Sequence, residues 1–447
     1  MIDRTRLADL RATEDQRFID LHPRSGELAG QARGPLLAGV PMPWMTRWPG
    51  SFPVFAASAT GARLVDVDGN EYVDLCLGDT GAMTGHALPA VADAVTRRAQ
   101  HGLTTMLPSD DALWVAQELA RRFGLPQWQF AMTATDANRF VLRFARHLTG
   151  RPRIAVMDWC YHGTVDETFA TLEGDRVMPR PGLLGAPVDV AETTAVLPFN
   201  DADALDRRLA EGDVACLLME PALTNIGIVL PDQGYLEAVR EITRRHGVLL
   251  VNDETHTLCA GPGGATVAWG LDPDLLVVGK PIGGGVPIAA YGMTAEVADA
   301  LRGPMLGHEI DVAGVGGTLT ANGLALAAAR AALSTALREE DFAVAIPLAE
   351  RFTAGVSEVI AEHDLPWHVQ RLGCRAEYWF CPPPRNGADA AAAVDEDLEA
   401  FLHLWSLNRG VLLTPFHNMA LFSPHHSEAD VDRHTEVFGE ALAALVG

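Results

Sequence analysis

Gly247-Val248-Leu249-Leu250-Val251-Asn252 is an apolar run that delivers a carboxylate, Asp253, and Leu275-Leu276-Val277-Val278-Gly279 is a second run that delivers a lone lysine, Lys280. Few chemistries need both groups. A lysine in an apolar setting can lose its proton and become a nucleophilic amine. A carboxylate nearby can keep a pyridine nitrogen protonated. Together the two strand ends suggest pyridoxal phosphate (PLP) chemistry, in which Lys280 carries the cofactor as a Schiff base and Asp253 holds its ring.

The bulk properties of the chain narrow its class. Its 447 residues exceed the size of one ordinary core, so we expect two domains. The formal net charge of −24 argues against nucleic acid or an anionic membrane as a partner. The sequence lacks a run of the ~18 apolar residues that a membrane span needs. The charged segment after Met1 predicts no signal peptide.

The cysteines indicate a reducing compartment, and the histidines argue against a metal site. The six cysteines form no CxxC pair, and Cys216 lies in an apolar run typical of a reduced core thiol. This usage fits a reducing compartment, so we expect a cytoplasmic protein. We expect no metal site, because His256 has no partner at ligand spacing and the sequence contains no HExxH.

The order of the predicted elements defines the domains. Short apolar strands alternate with helical segments, as in a parallel sheet buried on both faces; the strands are Ile154–Met157, Ala215–Met219, Val248–Val251 and Leu275–Val278. This alternation predicts a doubly wound α/β domain at 78–330. We expect 1–77 to be a helix and hairpin that pack with a smaller α+β domain at 331–447.

Ligands bind beyond the carboxyl ends of the strands in such a sheet. Ionisable residues follow four predicted strands there: Asp158, Glu220, Asp253 and Lys280. Thr133-Ala134-Thr135-Asp136-Ala137 opens a strong helix whose first N–H groups could grip an anion. A second hydroxyl site, Gly316-Gly317-Thr318, precedes another helix, and Tyr161 could stack on a flat cofactor. Taken singly, these features would rather indicate a plain helix cap, a glycine loop and simple packing.

The whole set, in this order, resembles the class III (ω-type) aminotransferases of the fold-type I PLP enzymes, including the glutamate-1-semialdehyde aminomutase branch. The resemblance runs from about Gly61 to the C-terminus. These motifs carry it: Gly85-His86-Ala87-Leu88-Pro89-Ala90, Thr133–Ala137, Tyr161-His162-Gly163, Glu220-Pro221 with Asn225 and Gly227, Asp253-Glu254 with Thr257, Gly279-Lys280 with Ile282-Gly283-Gly284-Gly285, and Gly317-Thr318 with Asn322. It implies a mostly parallel seven-stranded sheet in a large domain and a smaller α+β domain built from both terminal parts.

The resemblance also implies roles for particular residues. Lys280 would form the Schiff base and shuttle a proton, and Asp253 would pair with the pyridinium nitrogen. Thr318 would reach the phosphate of the neighbouring subunit, which predicts a homodimer with shared sites. The cofactor-binding residues implied are Thr133, Ala134, Thr135, Tyr161, His162, Glu220, Asn225, Asp253, Thr255, Lys280 and Thr318.

The sequence departs from the family in two places. Ala134 stands where the phosphate loop usually has glycine, and Asp136 where it usually has glutamate. The stretch from Thr255 to Gly264 also differs from the usual continuation toward Thr-Gly-Phe/Arg, so the face of the pocket below the ring is unusual. Within that stretch, His256 allows a catalytic as well as a structural interpretation.

The substrate is weakly encoded. An aromatic, Met-containing rim favours an apolar or aryl-bearing amine, and Arg47 and Arg375 are candidate carboxylate anchors. The alternative is that Arg47 is solvated and that Arg375 pairs with Glu377. The predicted substrate-binding residues are Trp44, Arg47, Trp48, Arg375 and Phe416.

We therefore expect a PLP-dependent transaminase that moves an amino group between an amine or amino acid and a carbonyl acceptor through Lys280. An intramolecular 2,1-aminomutase is the alternative, because Ile282–Ile288 and the Tyr291-Gly292 region look like that branch. A non-catalytic protein that keeps the fold is a third class, and the intact Lys280 and Asp253 argue against it.

Overall fold

The computed structural model describes residues 2–186, 188–306 and 314–447. The α-helices of this part of the chain are α1 (Arg4–Leu21), α2 (Pro23–Ala32), α3 (Pro89–Ala99), α4 (Asp110–Phe123), α5 (Ala134–Thr149), α6 (Val190–Thr193), α7 (Ala202–Leu209), α8 (Tyr235–Arg245), α9 (Gly264–Ala268), α10 (Ala295–Leu306), α11 (Gly323–Thr335), α12 (Glu339–Glu362), α13 (Gly387–Ala391), α14 (Glu396–Leu407) and α15 (Glu428–Val446). The strands are β1 (Ala56–Thr60), β2 (Arg63–Asp66), β3 (Glu71–Asp74), β4 (Gln127–Ala131), β5 (Arg153–Met157), β6 (Ala170–Glu173), β7 (Arg176–Pro179), β8 (Thr194–Leu197), β9 (Val214–Met219), β10 (Leu249–Asp253), β11 (Leu275–Val278), β12 (Ala289–Met293), β13 (His368–Leu372), β14 (Arg375–Trp379), β15 (Val411–Leu412) and β16 (Met419–Leu421).

The chain divides into two compact units. The first unit comprises Met1–Leu88, Glu340–Pro383 and Ala393–Gly447, and the second comprises Pro89–Glu339 and Pro384–Ala392. Within the described residues, none of the helices combines the length and the apolar character needed to cross a bilayer. The six cysteines are all free thiols, and five of them are buried.

A seven-stranded sheet in the order β4-β12-β11-β10-β9-β5-β8 forms the centre of the second unit. Strands β8, β5, β9, β10 and β11 pair in parallel, whereas β12 runs antiparallel to both β11 and β4. Every residue of β8, β9, β11 and β12 is buried, which accounts for their continuous apolar sequences. The predicted α/β fold with a mostly parallel seven-stranded sheet is confirmed.

Helix α5 begins just after β4, so its N-terminus lies at the carboxyl edge of the parallel strands. Its buried face carries Phe140 and Phe144, one turn apart, and both rings lie 6.0 Å from the ring of Tyr291 in β12. The helix ends at Gly150, whose left-handed conformation provides the C-cap. Packing against β12 therefore fixes the position of the N-terminus of α5.

The first unit contains a four-stranded sheet, β1-β2-β3-β15, and a three-stranded antiparallel sheet, β13-β14-β16. Strands β2 and β3 form the hairpin predicted around Asp68-Gly69-Asn70. Phe18 of α1 is fully buried in a cluster with Tyr72, Leu404 and Leu412. The N-terminal helix is thus anchored to α14 and β15 of the same unit by an apolar contact.

Candidate active site

Four ionisable residues of the second unit lie at or just after the carboxyl ends of its parallel strands. Asp253 is the last residue of β10, and Asp158 and Glu220 directly follow β5 and β9. Lys280 opens the short helical turn Lys280–Gly283 after β11. Asp158 nevertheless accepts hydrogen bonds from the hydroxyl and backbone N–H groups of the β6 strand, so its carboxylate belongs to that hairpin.

The carboxylate of Asp253 is held from three sides. Its Oδ2 accepts a hydrogen bond from Asn138 Nδ2 at 2.9 Å and lies 2.9 Å from Nδ1 of His162. Its Oδ1 accepts from the backbone N–H of Thr255 at 3.0 Å. Burial favours the neutral acid, but His162 and these donors outweigh it and lower the pKa of Asp253 to about 2. A buried, oriented anion therefore ends β10 at neutral pH.

Several buried polar atoms around that anion lack a partner. Burial alone would lower the pKa of His162, whereas the neighbouring Cys160 sulfur and the Asp253 carboxylate raise it. Among the described residues, Nε2 of His162, Oδ1 of Asn138 and Oγ1 of Thr255 are buried without a hydrogen-bond partner. Buried polar atoms normally find one. Their clustering favours a polar molecule bound beside Asp253.

Lys280 is held in an uncommon backbone conformation. Its φ is +48°, in the left-handed region that costs a residue with a side chain of order 1 kcal/mol. Its Nζ lies 2.8 Å from Nε2 of His256. Lys280 is also the only lysine in the sequence.

The turn between β10 and α9 is fixed by Glu254, which is fully buried. One carboxylate oxygen accepts from the hydroxyl of Thr257 at 2.6 Å and from the N–H of Ala265 at 3.0 Å. The other accepts from the N–H and the hydroxyl of Thr266. Burial raises the pKa of Glu254, and these four donors oppose that shift. The backbone N–H of Glu254 donates to the carbonyl of Val277 at 2.8 Å, which ties the turn to β11.

The N-terminus of α5 lies next to the turn that carries Lys280. A Cβ added at Gly279 would lie 3.1 Å from the Cβ of Ala134, so only glycine allows this approach without displacement. Thr133 is the N-cap, and its Oγ1 accepts from the N–H of Asp136 at 3.2 Å. Thr135 Oγ1 accepts from the N–H of Thr164 at 3.0 Å. The N-terminus of this 16-residue helix therefore lies beside the turn that carries Lys280. The free N–H groups of a helix start favour a bound anion at that point.

The remaining predicted cofactor residues of the second unit lie on the loops of this edge or before α11. The Tyr161 ring is 6.1 Å from that of Phe169, edge to face. Asn225 Nδ2 donates to the carbonyl of Trp159 at 3.0 Å. Their contacts to a cofactor stay predictions.

Glu220 and Thr318 contrast in exposure. Glu220 is buried and accepts a hydrogen bond from the hydroxyl of Thr224. Thr318 is exposed on its own chain, in the segment that leads into α11. Its predicted contact to a neighbouring subunit also stays a prediction.

The predicted substrate-binding residues belong to the first unit. The rings of Trp44 and Phe416 are 4.6 Å apart. Trp48 borders an apolar cavity of about 290 Å³. Arg47 is exposed at the end of a short helical turn.

Arg375 is fully buried and lies 3.2 Å from Oε2 of Glu377, whose other oxygen is 3.1 Å from Nδ1 of His417. This buried pair is the alternative that the sequence allowed for Arg375. The substrate roles of these five residues stay predictions.

The site fits PLP. The anionic Asp253 suits a protonated pyridine nitrogen, the lone Lys280 suits a Schiff base, and the start of α5 suits a phosphate. The partnerless buried atoms beside Asp253 provide hydrogen-bonding capacity for a ring bearing polar groups. Among the described residues, no group of His, Cys, Asp and Glu is arranged to hold a metal ion.

Comparison with known proteins identifies the family. The sequence profile of the family "Aminotransferase class-III" matches residues 44–441. The chain belongs to this family, and its cofactor is PLP. A glutamate-1-semialdehyde 2,1-aminomutase of Sorangium cellulosum is 36% identical over 439 residues, which cover 95% of this chain and 97% of the relative.

Solved structures agree with this assignment. A glutamate-1-semialdehyde-aminomutase from Pseudomonas aeruginosa PAO1 is 47% identical, superposes with a TM-score of 0.97 and covers 99% of both chains. A variant of that protein has been solved in complex with PMP. An omega-transaminase from Sphaerobacter thermophilus is 29% identical, with a TM-score of 0.86 and coverage of 95% of this chain and 98% of its own.

These relatives correct one prediction from the sequence. A transaminase acting on an amine and a separate carbonyl acceptor was the expected activity. That expectation is wrong, because the near full-length relatives at 33–36% identity and the 47% identical structure are named aminomutases. The motifs could not separate the two reactions, since both use the same lysine and aspartate.

Two features of the site escaped the sequence analysis. Asn138 lies in α5, yet it donates to Asp253, and Glu254 was quoted only as part of a motif, yet it anchors the whole turn.

The contact between His256 and Lys280 could have been predicted from the sequence and the pairing of the strands. Asp253 pairs with Val277 across β10 and β11, and His256 and Lys280 each lie three residues further on. Equal offsets from a registered pair predict that the two side chains are neighbours.

Proposed function

We propose that the chain is a PLP-dependent aminomutase that moves an amino group between adjacent carbons of one molecule, with glutamate-1-semialdehyde as substrate. The observation that carries the proposal is the agreement in name between near full-length sequence relatives and the 47% identical structure. The geometry is compatible with it, because the site joins one amine, one buried anion and one anion-binding helix end.

A 2,1-aminomutase exchanges the amino and carbonyl groups of neighbouring carbons, so substrate and product are isomers. The bound cofactor supplies an electron sink for the carbon that loses a proton. Lys280 Nζ takes that proton and returns it to another carbon. Asp253, ionised and oriented by Asn138 and His162, would keep the pyridine nitrogen protonated. The helix start at Thr133–Thr135 would hold the phosphate.

The test is an isotope experiment on the cofactor-loaded protein. Glutamate-1-semialdehyde carrying ¹⁵N should be converted to its amino-ketone isomer with the label retained, and no keto acid should be released. Lys280→Ala should abolish conversion. Failure of the wild-type protein to form the isomer would overturn the proposal. So would transfer of the ¹⁵N to an added keto acid.

We also propose a homodimer with shared sites, in the cytoplasm. The free cysteines support a reducing compartment, and the exposure of Thr318 supports a role toward a second copy. In mixed dimers of a Thr318→Ala chain with a Lys280→Ala chain, one of the two sites receives both intact residues. Thr318→Ala should weaken the activity of its own homodimer, and mixing should therefore give more activity than the two homodimers show separately. Additive activities without restoration would contradict shared sites, and secretion of the native protein would contradict the compartment.

A further inference from the structure

The structure assigns a function to His256: we propose that it is the positioning residue of Lys280, accepting a hydrogen bond from Nζ and steadying that amine while it carries the substrate proton. The motif of the family does not call for a histidine here, and the sequence left its role open. The role of His256 in catalysis rests on the proposed function, whereas the contact between His256 and Lys280 does not.

The first support is geometric. Nε2 of His256 lies 2.8 Å from Nζ of Lys280, an ordinary hydrogen-bond distance. Both residues are half-buried, so water screens the contact only in part. The two residues follow the ends of neighbouring parallel strands, each three positions beyond the registered pair Asp253 and Val277. Their proximity is therefore a product of the strand register.

The second support is that both backbones are held independently of the contact. The Glu254 carboxylate takes four donors from its own turn and from α9, which fixes the segment that begins with His256. The N–H of Cys259 donates to the carbonyl of His256 at 3.2 Å. On the other side, the close approach of Gly279 to α5 fixes the start of the Lys280 turn. A preorganised partner of this kind loses little conformational freedom when Nζ docks on it.

The third support is chemical. When Nζ takes a proton from a substrate carbon, the C–H bond breaks and an ammonium forms at Nζ. The electron pair stays with that carbon, from which a bound cofactor would delocalise it. An ammonium that donates to a neutral imidazole gains a charge-assisted bond. When Nζ is neutral and donates to Nε2, its lone pair stays available for the next proton or for the cofactor. One acceptor thus serves both protonation states of the lysine.

The test uses the fact that the chain has one lysine. The full-length protein, freed of cofactor, is treated with acetic anhydride over a range of pH, and acetylation of Lys280 is followed by mass spectrometry. Only the neutral amine reacts, so the midpoint of the profile reports its protonation. His256→Phe should shift the acetylation profile toward lower pH, because the ammonium form of Nζ loses its hydrogen-bond acceptor. His256→Gln, which keeps an acceptor, should restore most of the shift.

The other ionisable groups on the elements around the pair are the same in all variants and cannot cause the difference; they include Asp136, Arg139, Asp158, Cys160, Tyr161, His162, Glu220, Asp253, Glu254, Cys259, Tyr291 and Arg330. His147→Phe, the same change on the exposed side of α5, is the matched control and should leave the profile unchanged. Superimposable profiles for wild type and His256→Phe would overturn the inference, as would equal shifts in the Phe and Gln variants. If the wild-type protein showed no aminomutase turnover, the proposed function would be refuted. The difference between the acetylation profiles would still stand.

Discussion

Asn138→Leu removes the amide that orients the Asp253 carboxylate while leaving the side-chain volume nearly unchanged. Asn138 is fully buried, and its Nδ2 donates to Asp253 Oδ2 at 2.9 Å and to the carbonyl of His162 at 3.1 Å. Leucine fills the space but donates nothing. Asp253 then keeps the His162 ring and the N–H of Thr255 as partners.

The expected loss of stability follows from the two bonds. A hydrogen bond to a charged group contributes about 1.5–3 kcal/mol and a neutral one about 0.5–1.5 kcal/mol. The free energy of unfolding should therefore fall by about 2–4.5 kcal/mol at neutral pH. Because 1.36 kcal/mol corresponds to one pKa unit, the pKa of Asp253 should rise by roughly one to two units from its value of about 2.

The pH dependence has a definite sign. The pKa of Asp253 is lowered from 3.8 to about 2 in the folded chain, so its ionised form contributes stability above pH 3.8 that is lost as the pH falls through about 2. In the variant the pKa of Asp253 in the folded chain lies closer to its pKa in the unfolded chain. The ionised carboxylate therefore contributes less to stability. The penalty should stay constant from about pH 8 to about pH 5 and shrink below about pH 4.

The assay is urea unfolding of the cofactor-free protein at several pH values, monitored by circular dichroism. Each unfolding transition is fitted separately to give its own free energy. Asn200→Leu is the control for the pH dependence, because Asn200 Nδ2 also donates twice, at 3.0 Å and 2.8 Å, but to the neutral carbonyls of Leu230 and Arg385. Its penalty also includes the lost bond from the N–H of Asp232 and the strain of leucine at a φ of +63°. Asn200→Leu should be destabilising without the change in penalty below about pH 4. An Asn138→Leu penalty below about 1 kcal/mol would refute the reasoning. So would one that varies between about pH 5 and pH 8.

Three further substitutions probe the same edge. Lys280→Ala should leave the protein folded but unable to retain PLP after borohydride reduction, and a covalent adduct in this variant would contradict the assignment. Gly264→Ala should cost about 2 kcal/mol or more, because its φ is +65° and the new Cβ would lie 2.3 Å from Glu254 Oε2; Gly270→Ala, at φ +64° with nothing within 4 Å, isolates the backbone strain. Gly279→Ala should weaken PLP binding in a fluorescence titration, because its Cβ would push on the first residue of α5, 3.1 Å away, and an unchanged dissociation constant would exclude that contact as a constraint.

The sheet was predictable because its strands are short, apolar and buried on both faces. The runs ending at Asp253 and Lys280 correspond to β10 and β11, and their parallel pairing brings both ends to one edge. The start of α5 was predictable for the same reason, since Thr133 and the Phe140/Phe144 spacing are local signals.

The partners of those residues were harder to predict, because they come from distant parts of the chain. Asn138 reaches Asp253 across 115 positions of sequence, and no local pattern records that contact. The reaction class was out of reach for a chemical reason. Transaminases and aminomutases share the amine and the anion, and they differ in whether the half-converted substrate leaves the site.

The single lysine has a consequence for the surface of the protein. The proposed substrate is an aldehyde, and aldehydes condense with primary amines wherever these are exposed. The other strongly basic side chains of the chain are arginines, whose guanidinium groups stay protonated. Apart from the terminal α-amine, Lys280 is the one primary amine that a reactive aldehyde can meet on this chain. Adduct formation is thereby confined to the position where it starts the chemistry, and the exterior is spared modification by its own substrate.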